Sequence, residues 1–141
     1  MKKKKIVFRS DCSISTALDI FGDKWSLLII RDMMFKGKKT YGDFLEGGEK
    51  IATNILADRL ALLEMAGVIS KSKHPDSKAK VLYKLTQKGI NLLPLLIEVI
   101  IWSTKYDKNT ASDIKFVNRA KRDREGLLKK ITSRLKKETI A

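Results

Sequence analysis

Little in this chain of 141 residues is equipped to make or break a covalent bond. It holds one histidine, His74, and one cysteine, Cys12. His74 lies beside a Pro75-Asp76 turn signal and has no nucleophile next to it in sequence. One His and one Cys cannot supply the four ligands of a structural zinc site. A lone cysteine closes no disulfide within the chain, which suits a reducing cytoplasm. The carboxylates are scattered among lysines without dyad spacing. Gly47-Gly48 reads as a turn rather than a phosphate loop. The expectation is a protein that is not an enzyme, with no cofactor and no metal.

The abundant residue types are those that hold anions. The net charge is +14, from 30 basic and 16 acidic residues. Such a surplus implies a polyanionic partner, nucleic acid or an anionic membrane. The charge is clustered: Lys36, Lys38 and Lys39 form one group, and Lys71, Lys73, Lys78 and Lys80 surround one turn. Four lysines around a small β-turn repel one another unless an anion neutralises them. Phosphate contacts from such groups give salt-dependent affinity with little sequence information. Any one of these lysines alone reads equally as a solvated surface charge. Residues 105–141 carry 12 basic and 5 acidic residues, half of the whole excess. The longest apolar run, Leu92 to Trp102, is interrupted by Glu98 and carries Pro94. It falls short of the ~20 residues a membrane span needs. The apolar Ile6-Val7-Phe8 after Lys2 to Lys5 is too short for a signal-peptide core, so a cytoplasmic protein with no membrane partner is expected.

These side chains must be positioned by elements that the pattern defines. Ile14, Leu18 and Phe21 predict a first helix over 13–21, ended by Gly22. Asp23 is the N-cap of a second, running to Phe35, whose apolar residues on nearly every side make it central to a core. Thr40, with Asp43 three residues on, caps a short third helix. A fourth runs from about Ala52 to Ala66, closed by Gly67. Ile55, Leu56, Leu60 and Leu63 form its buried stripe, and Thr53, Asn54, Ala57, Asp58 and Ala61 lie toward the other side. Residues 68–73 and 81–85 predict two strands joined through a Pro75-Asp76-Ser77-Lys78 turn. Thr86 caps a fifth helix to about Ser103, bent by Pro94. A last helix spans Ser112 to Lys137 on a loose 3.5-residue pattern, weakened at Gly126.

The fold expected is mainly α with a small β-hairpin wing: a winged helix-turn-helix with long C-terminal dimerisation helices. Its parts are a basic arm (1–11), a winged domain with its dimerisation helix (12–104), and a basic helical extension (105–141). The fourth helix is narrow enough for the major groove of double-stranded DNA. Thr53 and Asn54 are then the base readers, with Ala57 and Asp58 near base edges; Asp58 repels phosphate but can accept from a cytosine amine. Lys73, Lys78 and Lys80 grip phosphates from the wing, helped by Lys38, Lys39 and Thr40. Leu92, Leu96, Val99, Ile100 and Trp102 are more apolar surface than one small domain covers from one side, and predict a homodimer.

Several of these residues, taken in order, resemble the HxlR-type branch of winged helix-turn-helix regulators, related to the MarR group. They are Cys12; Leu18-Asp19; Gly22-Asp23-Lys24-Trp25; Tyr41-Gly42-Asp43-Phe44-Leu45; Ile51, Leu56, Arg59-Leu60, Leu63-Glu64 and Gly67-Val68-Ile69; then Tyr83-Lys84-Leu85-Thr86-Gln87-Lys88-Gly89, Leu93-Pro94 and Trp102. The resemblance covers roughly residues 12–103 and implies bacterial homodimers on inverted repeats near promoters, often repressing. This chain departs from the pattern with Ala52 where Ser or Thr usually starts the fourth helix, and with Ser13 where Pro is common. Some members of the family sense oxidants or electrophiles through a cysteine near position 12. A cysteine at a helix start is favoured as thiolate, Arg9 and Lys24 act in the same sense, and Asp11 opposes them. Cys12 is therefore a candidate redox sensor, through a bridge to a second Cys12, a mixed disulfide or an alkyl adduct; the alternative is a small residue packing an interface. A basic nucleoid or nucleic-acid binder without sequence preference is the competing function. No effector is identified by the sequence.

Overall fold

The computed structural model describes residues 5–110 and 112–140. Residues 1–4 of the expected basic arm, and 111 and 141 of the expected extension, lie outside the described residues. The order of elements is α1 (Ser13–Phe21), α2 (Ser26–Phe35), α3 (Tyr41–Leu45), α4 (Thr53–Met65), β1 (Ile69–His74), β2 (Ser77–Leu85), α5 (Gln87–Ile90), α6 (Leu93–Tyr106), α7 (Ile114–Arg122) and α8 (Arg124–Ile140). The chain divides into two compact units, the first ending at Gly89 and the second starting at Ile90.

In the first unit, helix boundaries follow local capping chemistry. The Asp23 carboxylate accepts from the N–H groups of Trp25 and Ser26, both at 2.9 Å, and so caps the entry to α2. Thr40 and Asp43 form a reciprocal capping box on α3. Gly67, at φ +75°, turns the chain out of α4 into β1, a conformation that costs an L side chain about 1–2 kcal/mol. Ile29, Ile30, Met34, Phe44, Leu56, Leu60 and Leu63 from α2, α3 and α4 are buried and form the centre of this unit. The hairpin closes over them through Val68, Ile69 and Leu85. The strands are antiparallel, with Ile69 opposite Leu85, Lys71 opposite Tyr83 and Lys73 opposite Val81, and an irregularity after Lys73. The Thr86 hydroxyl accepts from the Gly89 N–H at 3.2 Å and caps α5.

Three expectations need correction. The turn of the hairpin is tighter than expected: β2 begins at Ser77, so Lys78 and Lys80 stand on the strand itself. The single fifth helix is two, α5 and α6, separated at Asn91-Leu92. Pro94 accordingly lies in the first turn of α6, where its missing N–H breaks no helical bond, and not in a helix interior. The last helix is also two, α7 and α8, and the break falls at Asp123 rather than Gly126. Asp113 accepts from the Lys115 N–H to start α7, and Asp123 accepts from the Gly126 N–H to start α8. In this second unit α6, α7 and α8 pack on one another around Leu96, Val117, Ala120, Leu127, Ile131 and Leu135.

Candidate nucleic-acid interface

Helix α4 buries Leu56, Leu60 and Leu63 and leaves Thr53, Asn54, Ala57, Asp58 and Ala61 exposed, as the spacing predicts, whereas Ile55 of the expected stripe is only half-buried. Its start is held from α3. The Tyr41 hydroxyl donates to the Thr53 carbonyl at 2.8 Å, a tie across twelve residues that the sequence did not reveal. Ala52 is the N-cap and offers no side-chain acceptor to the first turn. Thr53 is thus the first helical residue, and its hydroxyl is not spent on capping. An uncapped helix start directs N–H groups outward and suits a phosphate.

Asp58 is less free than expected. Its carboxylate accepts from the Arg59 guanidinium, which also pairs with Asp23 at 3.3 Å. Reading a cytosine amine through Asp58 would compete with that pairing. Burial alone would raise the Asp23 pKa, but the Ser26 hydroxyl, the Trp25 and Ser26 N–H groups and the Arg59 charge outweigh it and hold the carboxyl below its ordinary range.

The wing is docked to the same unit by two contacts. The Tyr83 N–H donates to the Lys39 carbonyl at 2.7 Å, so β2 is tied to the segment before α3. The Tyr83 ring meets Phe44 edge-on, with centroids 6.2 Å apart. Lys73, Lys78 and Lys80 are exposed on the hairpin, and Lys39 is exposed at the entry to α3. Lys71, in contrast, reaches Glu64 at 3.7 Å. The Lys39 N–H, with help from Thr40 and from the Lys80 charge, outweighs partial burial and depresses the Asp43 pKa. Thr40 itself is half-buried and its hydroxyl accepts the Asp43 N–H.

Lys38 differs from expectation. It is turned inward, its side chain only 17% exposed, with the ammonium 3.4 Å from buried Asp32. Asp32 also pairs with Arg31, which holds Glu49 at 2.5 Å and pulls the Glu49 pKa down to about 2. This network ties the end of α2 to the loop before α4. It spends Lys38 and Arg31 on the protein, so neither is available for phosphate without breaking a buried pair, which is costly. Adjacent Arg31-Asp32 was the only sequence signal of it.

The residues expected at a dimer interface separate into two groups. Leu96 is 6% exposed and belongs to the core of its own unit, contrary to expectation. Leu92 and Ile100 are half-buried. Val99 and Trp102 are exposed, and Leu95 and Tyr106 join them at helical spacing to form one apolar stripe along α6. The Trp102 and Tyr106 rings lie against each other, 5.7 Å between centroids. Cys12 is exposed at the N-cap of α1, and α1 buries no residue.

A helix pair, an anchored helix with an open polar face, and an antiparallel hairpin docked beside them define a winged helix-turn-helix protein. Residues 20–111 match the family model for the HxlR-like helix-turn-helix, and the chain belongs to that family. It is 33% identical over 109 residues to the HTH-type transcriptional regulator YdeP of Bacillus subtilis (strain 168), covering 74% of this chain and 84% of that one. It is 35% identical over 86 residues to the HTH-type transcriptional regulator sll1512 of Synechocystis, covering 61% of this chain and 63% of that relative's length. The reduced form of the transcriptional regulator YodB from B. subtilis has a similar structure, at a TM-score of 0.57 and 27% identity, covering 74% of this chain and 100% of the YodB chain. YodB has also been solved after diamide treatment. The chain is a transcriptional regulator of the HxlR type, and its relatives are regulators rather than enzymes.

Proposed function

We propose that this protein is a cytoplasmic repressor that binds an inverted-repeat DNA operator as a homodimer, reading bases with Thr53 and Asn54 and holding phosphates with Lys39, Lys73, Lys78 and Lys80. One observation carries this reading: the first turn of α4 is polar, open and fixed by the Tyr41 hydroxyl, in the unit that also carries the lysine-rich hairpin. Ala57 lies one turn along the same face, small enough to let a base edge approach. A second copy is supported by the stripe of Leu95, Val99, Trp102 and Tyr106, because Trp102 and Tyr106 are 67% and 70% exposed, unusual for apolar rings at adjacent turns. Footprinting of the purified protein on the DNA upstream of its own gene tests the reading. Two protected half-sites about one helical turn apart, ~34 Å, are expected. Even protection of all DNA would favour the basic nucleoid binder instead.

The exposure of Cys12 favours a second, finer reading, in which the signal is oxidation. An oxidant such as diamide, itself reduced to the hydrazine, would join two Cys12 thiols as a disulfide with loss of two protons and two electrons. Operator affinity should then change with diamide in the wild type and stay constant in Cys12→Ser. Equal responses in both proteins would leave Cys12 as packing.

A further inference from the structure

The second unit carries a charge that the DNA-reading face does not use. The family match stops at residue 111, yet the chain continues into two helices with a closed core. On α7, Val117 and Ala120 are buried, and Lys115, Arg119 and Arg122 recur at i, i+4 and i+7 on the other side, Lys115 and Arg122 exposed and Arg119 half-buried. On α8, Leu127, Ile131 and Leu135 are buried, and Lys129 and Lys130 stand exposed on the far side. Like charges one turn apart repel, at a cost of a few tenths of a kcal/mol per pair (about 0.2–0.5) in an isolated helix.

The carboxylates of this segment offset them only in part, since residues 105–141 hold 12 basic and 5 acidic residues. Asp107, Asp113 and Asp123 accept the backbone N–H groups of Asn109, Lys115 and Gly126, and exposed Glu125 lies one turn before Lys129. Arg124 is committed to the protein: it pairs with Glu98 and also reaches the Pro94 carbonyl, and so joins α8 to α6. Lys115, Arg119 and Arg122 on α7 and Lys129 and Lys130 on α8 are thereby held on packed helices rather than on a loose tail.

We propose that the α7–α8 surface is a second DNA contact, which binds the phosphates of duplex DNA independently of sequence through Lys115, Arg119, Arg122, Lys129 and Lys130. Duplex DNA is favoured over other polyanions because this inference rests on the reading of the first unit as a DNA binder. Once that unit is engaged, a covalently joined cationic surface meets backbone phosphates at high effective concentration. Among the described residues, no exposed aromatic lies between these cations in sequence, whereas a single strand would need one for stacking.

The test uses the full chain and a 30-bp duplex of random sequence, titrated between 50 and 200 mM salt. The variant K115Q/R119Q/R122Q/K129Q/K130Q should bind more weakly at every salt concentration. Its log–log salt slope should be shallower by about 0.9 for each phosphate no longer neutralised, or roughly 2–4 in all. The charge-conserving K115R/R119K/R122K/K129R/K130R should keep the wild-type slope, which separates charge from any effect on folding. An unchanged slope in the Gln variant overturns the proposal. So does a loss confined to a 30-nucleotide RNA or to phosphatidylserine vesicles run in parallel. Discrimination between operator and random DNA should be unaffected by the Gln variant. If the wild type shows no such discrimination, the operator reading fails while the slope comparison still decides this one.

Discussion

At the scale of single residues, the candidate interface keeps some charges free and spends others. Lys38 and Arg31 are committed to Asp32 and Glu49, whereas Lys73, Lys78 and Lys80 stand open on the hairpin. Neutralising the three wing lysines to Gln should weaken binding to all duplexes alike and reduce the salt slope by roughly one per phosphate released. A salt titration of the triple variant checks this; Lys38→Gln should instead lower stability, because it leaves Asp32 buried with one fewer cation. The committed carboxylates also set the response to acid. Asp23, Asp43 and Glu49 all have folded pKa values below their ordinary ones, Glu49 at about 2. A depressed carboxylate contributes stability that is complete above its unfolded pKa and is lost as pH falls through the folded one. Stability should therefore be flat with respect to these groups from about pH 8 to about 5 and decline from there toward about pH 2. Thermal midpoints measured against pH should show this decline, and Glu49→Gln should make it shallower.

At the scale of elements, the interface depends on how each helix starts and stops. Gly67 ends α4 at φ +75°, and a Cβ added there would meet only the Lys88 side chain, at an ordinary 3.9 Å. Gly67→Ala should therefore cost the backbone penalty alone, about 1–2 kcal/mol. Urea denaturation should show a lower midpoint at an unchanged m-value. The first four helices were legible because their signals are local: Asp23, the Thr40–Asp43 box and Gly67 each act within three residues of the end they set. The breaks at Asn91-Leu92 and Asp123 were hidden by apolar residues that recur on both sides of them, from Ile90 to Trp102 and from Val117 to Leu135. Pro94 carried a readable signal, since proline in a helix more often opens it than interrupts it. The exposed face of α4 followed from its apolar stripe. The ties through Arg59, Lys38 and Thr53 did not, because Asp23, Asp32 and Tyr41 reach them across gaps in sequence that only the folded chain closes.

At the scale of the whole molecule, the proposed operator binding requires two copies and a helix that reads bases. Trp102→Glu would place a charge in the stripe of α6 without touching the core, since Trp102 is exposed in the single chain. Sedimentation at micromolar concentration should give a dimer for the wild type and a monomer for this variant; a monomeric wild type would remove the dimer from the account. Sequence recognition by the first turn of α4 can be measured as the ratio of operator to random-duplex affinity in the wild type and in Thr53→Ala/Asn54→Ala. Each base pairing removed is worth about 1–3 kcal/mol of discrimination. The double variant should therefore lose most of its preference for the operator while binding random DNA nearly as well as the wild type. The same ratio in both proteins would contradict the account and place the reading of DNA elsewhere in the molecule.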